Sequence, residues 1–401
     1  MMSGCRRADR VSRSTASEAA SGVGEWPFVT DLDTYVHSFG DETGYLDWAS
    51  FGPLAPSVVA ETNADAELLA SGRRSSLDLV VDHVAEAGAA VAELLGAPAD
   101  QVVLQPSTAH GLMQAIYALR GTLLLSSAEF PSLTVAAARS AAVGGAQVSW
   151  MLPPAGFVTP EVVRDALTDD VTAVAVSLVD FRTGYLADLA AIRDVIGDRL
   201  LIVDAVQGFG VVEADFAAAD VVCGNGYKWL RAGRGTGYSW FAERALDRLD
   251  PVLSGFTGTE AEGLPLDEVP PPVHQARAFT VSAFDSLAAG RLKTAVTDIR
   301  DVGVAAVGAR IAERAADVFA LADQYDIPVT TPRDPAHRAG IIALAPDARD
   351  AAPLAAALSN HGLAVTVRSG GIRIAVHAGT SPDTLRQLGD AMAAFAASRV
   401  W

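Results

Sequence analysis

VVCGNGYKWLRAGRGTGYSW, residues 221–240, sets a lysine between two aromatic residues just after a short apolar run. Of the chain's 30 basic residues only Lys228 and Lys293 are lysine; the rest are arginine. A salt-bridging or solubilising role is open to arginine. A role in which the amine loses its proton and forms a bond is not, because guanidinium stays protonated near neutral pH. Lys228 is therefore the first candidate for chemistry. Lys293, in GRLKTAVTDIR, has the pattern of a solvated helix residue.

Working outward from Lys228, the runs QVVLQ (101–105), GTLLLSS (121–127), VTAVAVSLV (171–179), RLLIVDAV (199–206) and DVVCGNG (220–226) are short, β-branched and nearly all apolar. Stretches such as 109–119 and 185–197 lie between them and suit amphipathic helices. This alternation predicts a mostly parallel sheet with helices on both faces. After about residue 250 the rhythm changes. GLPLDEVPPPVHQ is a proline-rich connection, and a long helical pattern starts near 282. GIIALAP, LAVTVRS and GIRIAVH then read as strands and 381–397 as a closing helix. The expected layout is an N-terminal arm over 1–25, a segment over 26–55 around GYLDWASFGPLAP, a large α/β domain over 56–281 and a smaller α+β domain over 282–401.

Composition narrows the partners. The 401 residues, 50% hydrophobic and 19% charged, suffice for two buried cores. A formal charge of −18 argues against nucleic acid or an anionic membrane as main partner. Two cysteines, Cys5 and Cys223, provide neither a disulfide framework nor a tetrahedral metal set, which suits a reducing cytoplasm. The first 25 residues lack the apolar core of a signal peptide and read as a mobile arm, and no apolar run approaches the roughly 18 residues of a membrane span. A soluble protein is expected.

In open α/β sheets the chemistry gathers at the carboxyl ends of the strands. There the sequence places Ser107 and Thr108 before a helix, Phe130 in AEFPS, Asp180 and Thr183 in DFRTG, Asp204 and Gln207 in VDAVQ, and Tyr227 with Lys228. Each has an ordinary alternative. Ser107 and Thr108 suit a helix cap, Phe130 a core, and Asp204 a cap or a metal. Together they suit one ligand, pyridoxal 5′-phosphate. Its aldehyde condenses with a lysine amine, its phosphate needs hydroxyls at a helix N-terminus, and its pyridine nitrogen needs a carboxylate. At roughly 4 Å and an effective dielectric near 20, a carboxylate and a pyridinium attract by about 4 kcal/mol, enough to keep the nitrogen protonated.

The run LLIVDAVQGFG…ADVVCGNGYKWLRAGRGTG resembles the Asp-x-x-Gln, strand and lysine segment of fold-type-I pyridoxal-phosphate enzymes of aminotransferase class V, the group of cysteine desulfurases, kynureninases and isopenicillin-epimerase-like proteins. GYLDWASFGPLAP and VRSGGIRIAVHAGTSPDTL resemble that family's N-terminal segment and its C-terminal strand and helix. The resemblance implies that Lys228 carries the cofactor and moves protons at the substrate's Cα. It also implies that Asp204 pairs the pyridine nitrogen and that Gln207 faces the phenolic oxygen. Ser107, Thr108, the N–H groups near Ala109 and the Tyr227 hydroxyl would hold the phosphate. Phe130 would lie against the ring, with Asp180 or Thr183 approaching the cofactor, and Arg373 would grip the carboxylate of an α-amino acid. Phe256 and Ser282 match segments that reach across a homodimer whose active sites lie near the subunit interface.

Departures from the family pattern bear on the reaction. HGLAVTVRSGG lacks the cysteine that desulfurases carry before the IRI strand, and NGYK is closer to the kynureninase-like branch, although kynureninases tend to have histidine at the position of Gln207. Three classes stay open: a lyase cleaving a C–C or C–S bond, an aminotransferase or epimerase, and a nucleotide-binding module built on GNGYK and GRGTG. The last lacks the Ser or Thr that follows Walker A lysine and the third glycine of a Rossmann fingerprint. Specificity is expected from loops 43–57, 254–281 and 366–372. Arg182, Arg231, Arg234 and Arg368 read either as surface charges or as readers of a second acidic group.

Overall fold

The computed structural model describes residues 29–40, 42–261, 263–368 and 371–399, so the arm drawn over 1–25 lies outside the described residues. A seven-stranded sheet is built from β1 (Val102–Gln105), β2 (Thr122–Ser126), β3 (Gln147–Met151), β4 (Val171–Ser177), β5 (Leu200–Asp204), β6 (Val221–Asn225) and β7 (Gly237–Phe241), in the order β1-β7-β6-β5-β4-β2-β3. Only β7 runs against its neighbours. The five apolar runs are all strands.

The sequence pattern missed β3 and β7. β3 is an edge strand with Trp150 exposed, so it lacks a continuous apolar run. β7, GYSWF, is buried throughout, but its glycine and serine mask the signal. Packing here is close: a Cβ at Gly237 would strike the Gln105 carbonyl, and a Cβ at Gly111 on the overlying helix would collide with the Ser239 hydroxyl.

Strand side chains alternate between two cores. Leu123, Leu125, Leu200 and Ile202 face α4 (Thr108–Ala118) and α5 (Pro131–Ala142), while Leu124, Leu201 and Val203 point to the other side. That side is covered by α3 (Arg74–Leu95), α6 (Pro160–Ala166) and α7 (Leu189–Ile196). α1 (Leu32–His37) and α2 (Pro56–Ala70) precede the sheet and α8 (Glu243–Leu246) follows it. The long helical pattern begins at Ser286, capped by Asp285, and breaks at Gly303 into α9 (Ser286–Val302) and α10 (Val304–Gln324). β8 (Ile341–Leu344), β9 (Thr366–Arg368) and β10 (Gly371–Ala375) form an antiparallel sheet in the order β8-β10-β9, with α11 (Ala351–Asn360) and α12 (Pro382–Ser398) packed together beside it.

Lys293 is not the solvated residue its pattern suggested. α9 packs on α2 and α3, so the Lys293 side chain crosses a helix seam. There its Nζ lies 2.9 Å from Glu61 Oε1, 3.3 Å from Glu86 Oε2 and 2.9 Å from His83 Nδ1. Three acceptors match the three N–H groups of one ammonium, which accounts for this lysine structurally.

The segment around GYLDWASFGP, unplaced by periodicity, joins the two sheets. Tyr45 and Asp47 bridge to Ala364 and Ala375 beside and on β10. Gly52 N–H then donates to Tyr227 O (2.9 Å), and Ala55 N–H to Arg231 O (3.1 Å). Only glycine fits at position 52, since a Cβ there would strike the Lys228 carbonyl.

Arg231 completes the clamp. Its backbone sits in the left-handed region (φ 61°), and its buried guanidinium donates to Pro53 O, Ser38 Oγ and Ser38 O at 2.8–3.1 Å while lying 3.9 Å from the Phe39 ring centroid. The surface-charge reading of Arg231 is thus corrected. Replacing it strands buried acceptors, so Arg231→Met is expected to lower the unfolding free energy by about 3 kcal/mol in denaturant titration.

Candidate active site

The lysine loop is fixed from below and behind. At the end of β6, Asn225 Oδ1 accepts from Tyr227 N–H (3.0 Å), turning the chain so that Lys228 follows the strand edge. Trp229 is buried, its indole N–H donating to Gln207 Oε1 (2.9 Å). Its carbonyl meets His377 Nε2 at 2.8 Å, while His377 Nδ1 accepts from Ala378 N–H at 2.8 Å, so the ring carries its proton on Nε2. Burial pushes His377 down to about 3 and keeps it neutral. The two aromatic neighbours of the lysine thus differ. Trp229 anchors the loop in the core, and Tyr227 borders a cavity.

That cavity, about 240 Å³, is lined by Ser107, Thr108, Ala109, Phe130, Asp204, Tyr227 and Lys228, together with Asn225 and Arg234. Seven of the residues expected from the sequence therefore share one space. Lys228 Nζ makes no ion pair or hydrogen bond among the described residues and lies 5.8 Å from the Phe130 ring centroid and 5.4 Å from that of Tyr227. Burial pulls its pKa down to about 8, opposed by the Asp204 charge and reinforced by Arg373, Arg368 and Arg234. Asp204, at the last position of β5, accepts from Val206 N–H (3.0 Å), and burial pushes it up to about 6.

Ser107 caps α4, accepting from His110 N–H, so the helix-cap reading of this residue is correct as far as it goes. The neighbouring Thr108 hydroxyl is buried with no partner. Arg234, exposed on its outer side, lies 4.8 Å from the Tyr227 ring centroid.

Five of the residues expected around the cofactor are elsewhere. Gln207 does not line the cavity: its carbonyl is taken by Trp229, and its amide donates to Ala49 O (3.1 Å). Asp180 and Thr183 bond each other in a turn, Asp180 Oδ1 accepting from the N–H (2.7 Å) and the hydroxyl (2.9 Å) of Thr183. That turn holds Phe181, whose ring meets Phe130 edge-on at 5.1 Å. Two further residues, Phe256 and Ser282, are exposed on the surface and border neither this cavity nor the recess beside it.

The sequence missed Glu129. It accepts from Ser177 N–H (3.0 Å) and the Ser177 hydroxyl, and burial pushes it up to about 7, with Asp180 and Asp204 adding to the shift. A carboxylate three residues past the end of β2 was the available signal.

Beyond the Phe130–Phe181 pair, a recess of about 570 Å³ is lined by Phe181, Arg182, Thr183, Thr366, Arg368 and Arg373, among others. Arg373 is buried on β10. Its Nη1 donates to Phe181 O (2.9 Å), and its Nη2 to Ser50 Oγ (2.7 Å) and Thr366 Oγ1 (3.2 Å), with Asp47 at 3.4 Å; its Nε has no partner. The guanidinium is thus braced through both Nη atoms, with a buried Nε left unpartnered.

These features fit pyridoxal phosphate. An orphaned hydroxyl at a helix N-terminus suits a phosphate, a free buried amine suits an aldehyde, and a carboxylate at the neighbouring strand end suits a pyridine nitrogen. Fold and cavity together define a pyridoxal-phosphate enzyme of fold type I. The family model for aminotransferase class-V matches residues 44–383, and the chain belongs to that family.

Among curated relatives, the kynureninase of Deinococcus radiodurans is 30% identical over 319 residues, 73% of this chain and 75% of that one. A cysteine desulfurase IscS of Pseudomonas putida is 26% identical over 275 residues, 63% and 67% of the two chains. The fold is shared with the cystine C–S lyase C-DES in complex with its product cysteine persulfide (TM-score 0.79, 18% identity, 88% of this chain and 97% of that one). It is shared too with an apo cysteine desulfurase from Thermococcus onnurineus (0.76, 18%, 87% and 94%).

Only an unprotonated amine attacks an aldehyde. The rate at which apoenzyme takes up pyridoxal phosphate is therefore expected to rise with pH and level off above about 8 rather than near the 10.5 of an ordinary lysine. Growth of the visible absorption band gives the profile, and a Lys228→Ala variant develops no such band.

Proposed function

We propose that this enzyme is a lyase that cleaves a C–C or C–S bond in the side chain of an α-amino acid, working as a homodimer in the cytoplasm. The observation that carries this reading is the Arg373 recess opening beside the Lys228 cavity: a carboxylate held there presents its amino-bearing carbon toward the amine. The kynureninase likeness, over three quarters of that chain, favours a lyase. Persulfide formation on the enzyme needs a reactive thiolate, and Cys223 does not supply one. It is buried on β6 with Sγ 3.3 Å from Ser239 Oγ, and burial pushes it up to about 12.

The cofactor, when bound, supplies an electron-accepting ring conjugated to the substrate's amino group. The chain's own residues then divide the work. Lys228, free base in part near neutral pH, takes the proton from Cα and returns one after the bond is cut. Asp204 would hold the ring nitrogen, and a positive charge there would favour the ionised form of its buried carboxyl. Ser107, Thr108, the N–H of Ala109 and the Tyr227 hydroxyl hold the phosphate. Phe130, braced by Phe181 from the Asp180–Thr183 turn, would offer an apolar face to the ring, and Gln207 positions Trp229 behind the lysine. Arg373 binds the α-carboxylate through Nε and its remaining N–H groups.

Incubation with a panel of amino acids, scoring alanine, sulfide, ammonia and keto acid separately, tests the reaction. Stoichiometric cleavage products are expected; transfer of the amine to an added keto acid, leaving aminated cofactor, would make the enzyme a transaminase instead. Arg373→Lys is expected to raise KM about tenfold with the cofactor's absorbance unchanged, because an ammonium cannot reproduce bidentate contact.

The homodimer reading rests on Phe256 and Val281, apolar side chains exposed on the segments 254–258 and 276–284 that resemble the family's inter-subunit pieces, with Val252 and Leu264 exposed close by in sequence. With Phe256 and Ser282 at such an interface, Phe256→Asp is expected to shift the protein toward monomer in sedimentation velocity and to loosen cofactor binding. Free, buried Cys223 suits a reducing compartment, and among the described residues no helix is long and apolar enough to cross a membrane.

A further inference from the structure

The recess beside the Lys228 cavity is anomalous for so acidic a chain. Acidic residues outnumber basic ones 48 to 30 overall, yet the described lining includes Arg182, Arg368 and Arg373 and no carboxylate. The three guanidiniums are not equivalent. Arg373 is braced against Asp47, Ser50, Thr366 and the Phe181 carbonyl. Arg182 is tied to Gly156 O and lies 3.5 Å from Asp180 Oδ2. Arg368 has no ion pair or hydrogen bond to its side chain among the described residues and lies over the Phe181 ring, 6.0 Å from its centroid.

Strand register explains why Arg368 points the same way as Arg373. β9 and β10 are antiparallel, with Thr366 opposite Arg373 and Arg368 opposite Gly371. Cross-strand partners share a face and side chains alternate, so Thr366, Arg368 and Arg373 all project toward the recess. Arg368 and Arg373 are diagonal neighbours, roughly 7–8 Å apart at the backbone. Gly371 leaves the space opposite Arg368 without a side chain. One small ligand with two anionic groups can therefore touch both guanidiniums, the buried one and the exposed one at the mouth.

We propose that the substrate is an α-amino acid whose side chain ends in a second anion, which Arg368 reads while Arg373 holds the α-carboxylate; this rests on the amino-acid lyase function proposed above. Arg368 is a specificity residue here, and its charge discriminates acidic side chains from neutral ones of the same shape. An unpaired guanidinium beside a flat aromatic ring offers a bidentate fork to a carboxylate or sulfinate at little cost in desolvation, because it remains partly in water.

The test is a titration of holoenzyme with L-aspartate and L-glutamate against their isosteric amides, L-asparagine and L-glutamine, following the cofactor's visible absorption to obtain Kd. The acids are expected to bind about tenfold more tightly at low salt, an advantage that shrinks as ionic strength rises. Arg368→Gln should abolish this preference while leaving the amides within about twofold, and Arg368→Lys should restore part of it. Equal binding of acids and amides by the wild type overturns the proposal, as does an Arg368→Gln variant that loses affinity for all four equally, which would assign Arg368 to the α-carboxylate. A spectrum that no amino acid perturbs would instead overturn the lyase reading, and this inference with it.

Discussion

A single lysine ammonium group, withdrawn from water and left without a partner, is the constraint around which this structure is arranged. Desolvation disfavours the charged form of Lys228, and the neighbouring Asp204 carboxylate only partly offsets it. Such a side chain would escape to solvent from a loose loop. Here it cannot, because the loop is bonded on every side: Gly52 and Ala55 donate to its carbonyls, Trp229 is held by Gln207 and His377, and the Arg231 guanidinium ties it to residues 38 and 53. The free energy that raises the amine's reactivity comes from packing elsewhere in the chain.

The same bonds couple the two sheets. The segment from Tyr45 to Ala55 runs from β10 and its neighbours to the lysine loop, so the strand that carries Arg373 and the strand that precedes Lys228 are registered through one stretch of backbone. Asp47 and Ser50, both on this segment, also touch the Arg373 guanidinium. The Arg373 and Lys228 side chains are thereby held to a common frame, and residues of both sheets share one buried core. Arg368 lies exposed on the lining of the recess, while Arg373 is buried in it.

Much of the site was legible because its residue types are chemically constrained. A lysine in an arginine-rich chain, an acid after LLIV and hydroxyls before a helix each follow a strand, and strand ends converge in a parallel sheet. Gln207 and the Asp180–Thr183 pair were harder to place. An amide or a hydroxyl satisfies a backbone or indole as readily as a ligand, and the sequence does not say which partner is nearer. Glu129 was missed because it directly precedes the more conspicuous Phe130. Lys293 and Arg231 were misread as solvent-facing, since helix periodicity does not reveal a neighbouring helix and a loop position reveals no burial at all.

The sequence alone determined the mostly parallel sheet, the order of polar residues along its edge and the choice of Lys228 as the candidate amine. These follow from local periodicity and from properties of single side chains. The tertiary structure decided which of those side chains share a cavity, why the loop tolerates a buried lysine, and that Arg368 and Arg373 face one recess while Arg231 serves the fold. Each of those depends on proximities set by packing and strand register, most of them between groups far apart in the chain.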